Sequence, residues 1–194
     1  MSKPETIQKW KEECEQQVID AEFRKLGLDG TRGQIFCIAW AFDNMPVTAA
    51  CSTLGEGQTL TEFLNAVDDM VHLKQGRPQA LKWIGHYITG FDLRYIWQRC
   101  VVNNIRSEIE IPYKAKPWDN NVFDTCIEWK GQGQSNSSGS MDAICKAFGI
   151  EGKGDMDGSK VYDEYLAGNY QKIIDYCKDD VERVRKIHKR MTFS

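Results

Sequence analysis

The stretch KIIDYCKDDVERVRKIHKRM (residues 172–191) constrains the fold more than any other, because its apolar residues return with a helical period. At about 100° per residue, Ile173, Ile174, Cys177, Val181, Val184, Ile187 and Met191 gather into one stripe. A helix of this length with one apolar face must lie against a sheet or other helices. Asp175, Asp179, Glu182, Arg185 and Lys186 fall outside the stripe, where water hydrates them. Asp180 falls inside it, and Tyr176 borders the same stripe one turn earlier, at the i, i+4 spacing. A carboxylate facing a core costs on the order of several kcal/mol unless a cation or hydrogen bonds compensate. One reading of Asp180 is a buried salt bridge to an Arg or Lys at the edge of the core.

The rest of the chain narrows what kind of protein carries that helix. Its 194 residues suit one domain with a full core. No run approaches the ~20 apolar residues of a membrane span, and MSKPETIQKWKEECEQQ is too polar for a secretory signal. Seven cysteines without a C-x-x-C pair point to a reducing cytoplasm rather than a disulfide framework or zinc site. The formal charge of −3 gives no global attraction to nucleic acid, so contact with DNA or RNA needs a local site.

Residues 1–17 read as a polar helix or loose arm, and 18–194 as one domain. VIDAEF (18–23) reads as a strand, followed by a turn at GLDGTRG. QIFCIAWAF (34–42) and PVTAACS (46–52) read as strands joined at DNMP in a hairpin or meander. Thr59 and Glu62 form a capping-box pattern that opens a helix over 59–73. A strand is expected at 80–86 and a helix at 91–102. The segments 112–121 and 131–140 read as loops, MDAICKAF as a helix capped by Gly149, and 159–167 as a short helix. Strands early and helices late imply an α/β or α+β domain around one sheet.

Two more acids stand out. On a strand, Asp20 and Glu22 share a face, either solvated at an edge or joined by a hard divalent cation such as Mg²⁺ or Mn²⁺. In GHYITGFDLRYI, Asp92 starts a helix at the margin of its apolar face, the place of an N-cap or first-turn residue.

In chain order these are a D-x-E strand, an Asp at a helix start, and an Asp on a late helix with Tyr at −4. This order resembles the tyrosine branch of the DEDD superfamily of 3′–5′ exonucleases. VIDAEF looks like its first motif, GHYITGFDL its second and YCKDD its Y-x-x-x-D third. SMDAICKAFGIEGKGDMDGSKVYDEYLAGNYQKIIDYCKDDV is similar to stand-alone exonucleases related to the proofreading domain of family B DNA polymerases, found in bacteria and their phages. The sister branch carries His five residues before the last Asp, where Asp175 stands here. Tyr87 follows His86 where the second motif commonly has Asn.

The resemblance implies an α/β, ribonuclease H-like fold: a mixed five-stranded sheet, its first three strands antiparallel, flanked by helices. It implies that Asp20, Glu22, Asp92 and Asp180 hold two divalent ions, Mg²⁺ or Mn²⁺, with Tyr176 orienting the attacking water. The activity implied is hydrolysis of terminal phosphodiesters of single-stranded DNA or frayed 3′ ends, releasing nucleoside 5′-monophosphates in a bacterial or phage-infected host cytoplasm. An exoribonuclease of the same fold and a silent nucleic-acid-binding module remain open beside it. Phe23, Leu26 and Phe91 are expected either to touch terminal bases or to pack in the core. Lys114, Lys116 and Trp118 form a short basic-aromatic patch that either tracks a strand or is a solvated loop. Lys153 is a candidate phosphate contact, and Asp124 either supports the site or caps a turn.

Overall fold

The computed structural model describes residues 4–73, 81–116, 118–131, 138–152 and 154–194. The chain divides into two units, Met1–Gln34 and Ile35–Ser194.

The first unit is built on helix α1 (Pro4–Leu26). Proline at the first helical position has no N–H to waste, and the Glu/Gln/Lys-rich run after it favours helix. Pairs one turn apart line its surface: Gln8 donates to Glu12 at 3.0 Å, and Lys25 meets Glu22 at 2.6 Å. The strand expected at 18–23 is therefore corrected to helix: α1 runs unbroken through VIDAEF, which has no Gly or Pro to stop it. The turn expected at GLDGTRG is present and ends the helix. There Asp29 accepts from the Thr31 amide at 2.9 Å and the Thr31 hydroxyl at 2.7 Å, closing an Asx turn.

In the second unit, β1 (Cys37–Trp40) and β2 (Thr48–Cys51) form the expected antiparallel hairpin, with Cys37 opposite Cys51 and Ile38 opposite Ala50. Asp43, in the left-handed region at φ 44°, turns the chain at DNMP. Helix α2 (Glu56–Leu73) follows, then β3 (Trp83–Gly85), α3 (Asp92–Val102), β4 (Val122–Asp124) and α4 (Thr125–Lys130). The last part holds α5 (Met141–Phe148), a 3₁₀ turn at Gly158–Lys160, α6 (Val161–Leu166) and α7 (Tyr170–Thr192). Strands β3 and β4 pair in parallel, Gly85 beside Asp124.

Among the described residues the strands make two separate pairs rather than the five-stranded sheet expected. The strand assigned to 18–23 is helical, and the remaining strands are only three or four residues long. Helix α2 also differs from expectation. It begins at Glu56, so Thr59 is buried inside it, its hydroxyl 3.5 Å from the carbonyl of Phe36, and caps nothing. Part of the 131–140 loop, residues 132–137, lies outside the described residues.

Alternation along β1 separates two faces. Ile38 packs with Leu60, Phe63, Leu64 and Val67 of α2 and with Leu93, Ile96 and Cys100 of α3. Cys37, on the other face, meets Cys177 of α7. Helix α7 packs on β1, β2 and β3, and its Ile187 is fully buried with Ile144 and Cys145 of α5. Its far end is tied to the hairpin turn, Arg185 donating to the carbonyl of Met45 at 2.6 Å and Lys189 to Asn44 at 2.7 Å. Among the described residues, no helix is long and apolar enough to cross a membrane.

Candidate active site

The turn between β3 and α3 carries the second acid-bearing segment, and Asp124 at the end of β4 holds that turn in place. Buried Asp124 accepts five hydrogen bonds. The amides of Tyr87 (2.8 Å) and Thr89 (3.1 Å) and the Thr89 hydroxyl (2.7 Å) reach it from the turn. The amides of Cys126 (3.1 Å) and Ile127 (3.4 Å) reach it from the start of α4, so it also caps that helix. The adjacent Thr125 hydroxyl donates to the carbonyl of Gly85 at 3.1 Å. It therefore accepts from Nδ1 of His86 at 2.9 Å, which assigns the ring proton to that nitrogen. Tyr87 is held at φ 57°, and its ring lies where a Cβ at Gly90 would fall, 2.4 Å from the nearest ring carbon. The turn is thus built for one conformation.

Replacing Asp124 with Ala strips two turn amides and a helix cap of their acceptor. A loss of about 3 kcal/mol is expected in urea unfolding, with faster hydrogen exchange at the amides of Tyr87 and Thr89. An unchanged midpoint would refute the clamp.

Asp92 is the first residue of α3, with Phe91 at the cap position. Crowding by surrounding protein pushes its pKa up to about 6, and the charges of Asp124 and Asp180 add to the rise. The residue keeps access to solvent, which screens part of that effect. Asp180, on α7, is near enough for its charge to act on Asp92. It is half-buried, as the stripe predicts, while Asp175 and Asp179 are exposed. The charges of Asp180 and Asp92 both also reach Cys177, one turn before Asp180.

Two partners of Asp180 lie on its own helix. Arg183 donates to it at 2.6 Å, so the ion-pair reading of the sequence holds. The Tyr176 hydroxyl also hydrogen-bonds to it. Burial, then the charge and hydrogen bond of Asp180, push the phenol of Tyr176 above its ordinary range. It therefore stays protonated at neutral pH, a donor that orients and not a base.

The other expected residues sit elsewhere. Asp20 and Glu22 are exposed on α1 in the first unit. Two residues apart on a helix they diverge by about 200°, so the shared face expected of a strand is absent. Phe23 is exposed on α1 and Leu26 half-buried near its end. Phe91 is half-buried, its ring 5.1 Å from that of Tyr95. Asp157 caps the 3₁₀ turn, and Lys153 lies outside the described residues. Among the described residues, no group of three His, Cys, Asp or Glu is close enough to hold a metal ion by itself.

In the second unit the charge of Asp180 thus reaches Asp92, and Tyr176 hydrogen-bonds to Asp180, in chain order Asp, Tyr, Asp. A family model described as a predicted 3′–5′ exonuclease related to the exonuclease domain of PolB matches residues 47–192. The chain belongs to that family. No curated protein and no solved structure matches it. The family match takes in β2 to α7, and with them all three of these residues; Asp20 and Glu22 precede it. Membership in this exonuclease family also sets the clamp at Asp124 and the Arg183 pair in a nuclease context. Sequence reasoning underweights both, although each leaves a signal. Asp-Thr before a short helical run is a capping pattern, and Arg183 stands three residues after Asp180 on one helix face.

Proposed function

We propose that the protein is a metal-dependent 3′–5′ exonuclease of the tyrosine branch, acting on single-stranded DNA or frayed 3′ ends and releasing nucleoside 5′-monophosphates. The observation that carries this reading is that the charge of Asp180 reaches Asp92 and Tyr176 hydrogen-bonds to Asp180, within the stretch matched by the family. Two carboxylates that repel each other, with Asp124 behind them, are a donor set that suits a hard cation such as Mg²⁺ or Mn²⁺. When bound, a divalent ion lowers the pKa of a water and neutralises charge building on the phosphate.

The chain's own residues do the rest. Asp92 and Asp180 present oxygen ligands from two elements fixed by the Asp124 clamp and the packing of α7. Tyr176, a neutral phenol, donates its one O–H to Asp180 and orients the attacking water through its oxygen lone pairs. Arg183 holds Asp180 in one rotamer. Asp20 and Glu22 are proposed to complete the ligand set for two ions. A helix turns them apart and an extended segment aligns them, so metal binding is proposed to favour extension of 18–23.

The test is a time course on 5′-labelled single-stranded DNA and its RNA counterpart, with Mg²⁺, Mn²⁺ or EDTA. A metal-dependent ladder shortening from the 3′ end, lost in Asp180→Ala, is expected, and the faster substrate decides DNA against RNA. No ladder from folded protein on either substrate refutes the reading. Backbone chemical shifts of residues 18–23 are expected to move from helical toward extended values with Mg²⁺. Helical shifts in saturating metal would remove Asp20 and Glu22 from the site.

A further inference from the structure

The nuclease reading places a reacting end at the start of α3 but leaves open where the rest of a substrate strand lies. Further along the same helix, α3 and the turn at 113–116 enclose a cleft of about 390 Å³. Its wall is Trp97 stacked on Tyr113, ring centroids 4.0 Å apart and 12° from parallel. Its rim is Arg94, Lys114 and Lys116, all exposed. Thr89, which hydrogen-bonds to Asp124, also lines it. Among the described residues, no Asp or Glu lines the cleft. Among the described residues none of the three cations meets a carboxylate, and the nearby carboxylate of Asp119 accepts from the backbone amide of Lys116 instead.

Three cations gathered without an acid, on a chain of net charge −3, repel one another until an anion joins them. The Nζ of Lys114 lies 5.1 Å from the centre of the Tyr113 ring, so charge and aromatic surface occupy one place. Behind the stacked pair a second hollow of about 330 Å³ is lined by Ile105, Ile109 and Ile111, so Trp97 and Tyr113 form a partition with open space on both sides. Cations for phosphates beside aromatic surface for bases is the chemistry that holds single strands without reading sequence. The volume suits a unit the size of one nucleotide. From Asp92 to Trp97 the helix rises only about 8 Å, so one strand spans both places.

We propose that this cleft binds the backbone of a single-stranded nucleic acid on the 5′ side of the scissile end, with phosphates on Arg94, Lys114 and Lys116 and a base against Trp97. The polarity rests on the exonuclease reading; the binding does not.

The test is fluorescence anisotropy of a labelled ten-nucleotide oligothymidylate in EDTA, where no cleavage occurs, over a range of salt. The triple variant Arg94→Gln, Lys114→Gln, Lys116→Gln is expected to bind at least about tenfold more weakly. The slope of log affinity against log salt is expected to fall by about 2, at ~0.7 for each phosphate that the variant no longer neutralises. Lys146→Gln, on the exposed face of α5, serves as the control and is expected to leave both unchanged. A triple variant that binds with the affinity and slope of the parent overturns the cleft, as does a parent that shows no binding at 100-fold excess of protein over label. A parent that binds here but never shortens the strand in Mg²⁺ or Mn²⁺ overturns the exonuclease reading and leaves the cleft standing.

Discussion

Asp92→Asn is expected to slow 3′-end shortening by about 10²–10³-fold or more while the protein melts at the same temperature or higher. The two effects have one cause. Asp92 is crowded by protein and by the charges of Asp124 and Asp180, which raise its pKa to about 6, so at neutral pH its ionised form opposes folding. Asparagine keeps the shape and removes the charge. Because Asp92 keeps access to solvent, screening limits the gain to about 1 kcal/mol or less, a rise in Tm of at most about 4 °C. Calorimetry and the labelled-strand time course on one preparation check both halves. A lower Tm would show that the acids do not repel, and undiminished shortening would place the chemistry elsewhere. An acid kept at a position where it destabilises the fold is what a ligand site predicts.

The largest loss of stability is expected away from that site. Glu56, at the start of α2, is buried and faces buried Arg99 of α3, with Nη2 to Oε2 at 2.7 Å and Nε to Oε1 at 2.8 Å. Asn103 donates to Oε2 at 2.7 Å and the amide of Ile35 to Oε1 at 2.7 Å. Truncating either ion strands the other, so Glu56→Ala or Arg99→Ala should cost about 3–5 kcal/mol, whereas Glu56→Met with Arg99→Leu should cost less, about 1–3 kcal/mol, for the acceptor that Ile35 and Asn103 lose. Burial opposes ionisation of Glu56, but the hydrogen bonds from Arg99, Asn103 and Ile35 outweigh it and hold its pKa below the ordinary 4.5. Its contribution is therefore complete above pH 4.5 and lost as pH falls through the lower folded value. Urea midpoints of the parent and Glu56→Gln should differ widely at pH 7 and converge in acid. A gap that stays constant with pH would show that Glu56 is not held ionised.

What is legible in the sequence follows from periodicity. The stripe on α7 and the odd position of Asp180 within it are visible at helical spacing, and the structure places Asp180 half-buried and paired. The hairpin of β1 and β2 is equally clear from two apolar runs around DNMP. Where signals compete, the sequence misleads. VIDAEF has β-branched residues that suit a strand, but it continues a Glu/Gln/Lys-rich helical run, and one helix covers both. Thr59 and Glu62 match a capping box, yet α2 begins a turn earlier. The clamp at Asp124 joins residues 35 and 37 positions apart, a pairing that no local pattern encodes.

Helix α7 bears on the question of which motions the protein permits. It touches β1, β2 and β3 and also α4, α5 and α6, and it buries Ile173, Arg183 and Ile187 along its length. A segment so anchored opens only when the whole unit opens, so its central amides belong to the slowest-exchanging class. Tyr176 and Asp180 sit on that segment and have no private route to disorder. Heat should therefore loosen the Tyr176 and Asp180 side of the site only with global unfolding of residues 35–194.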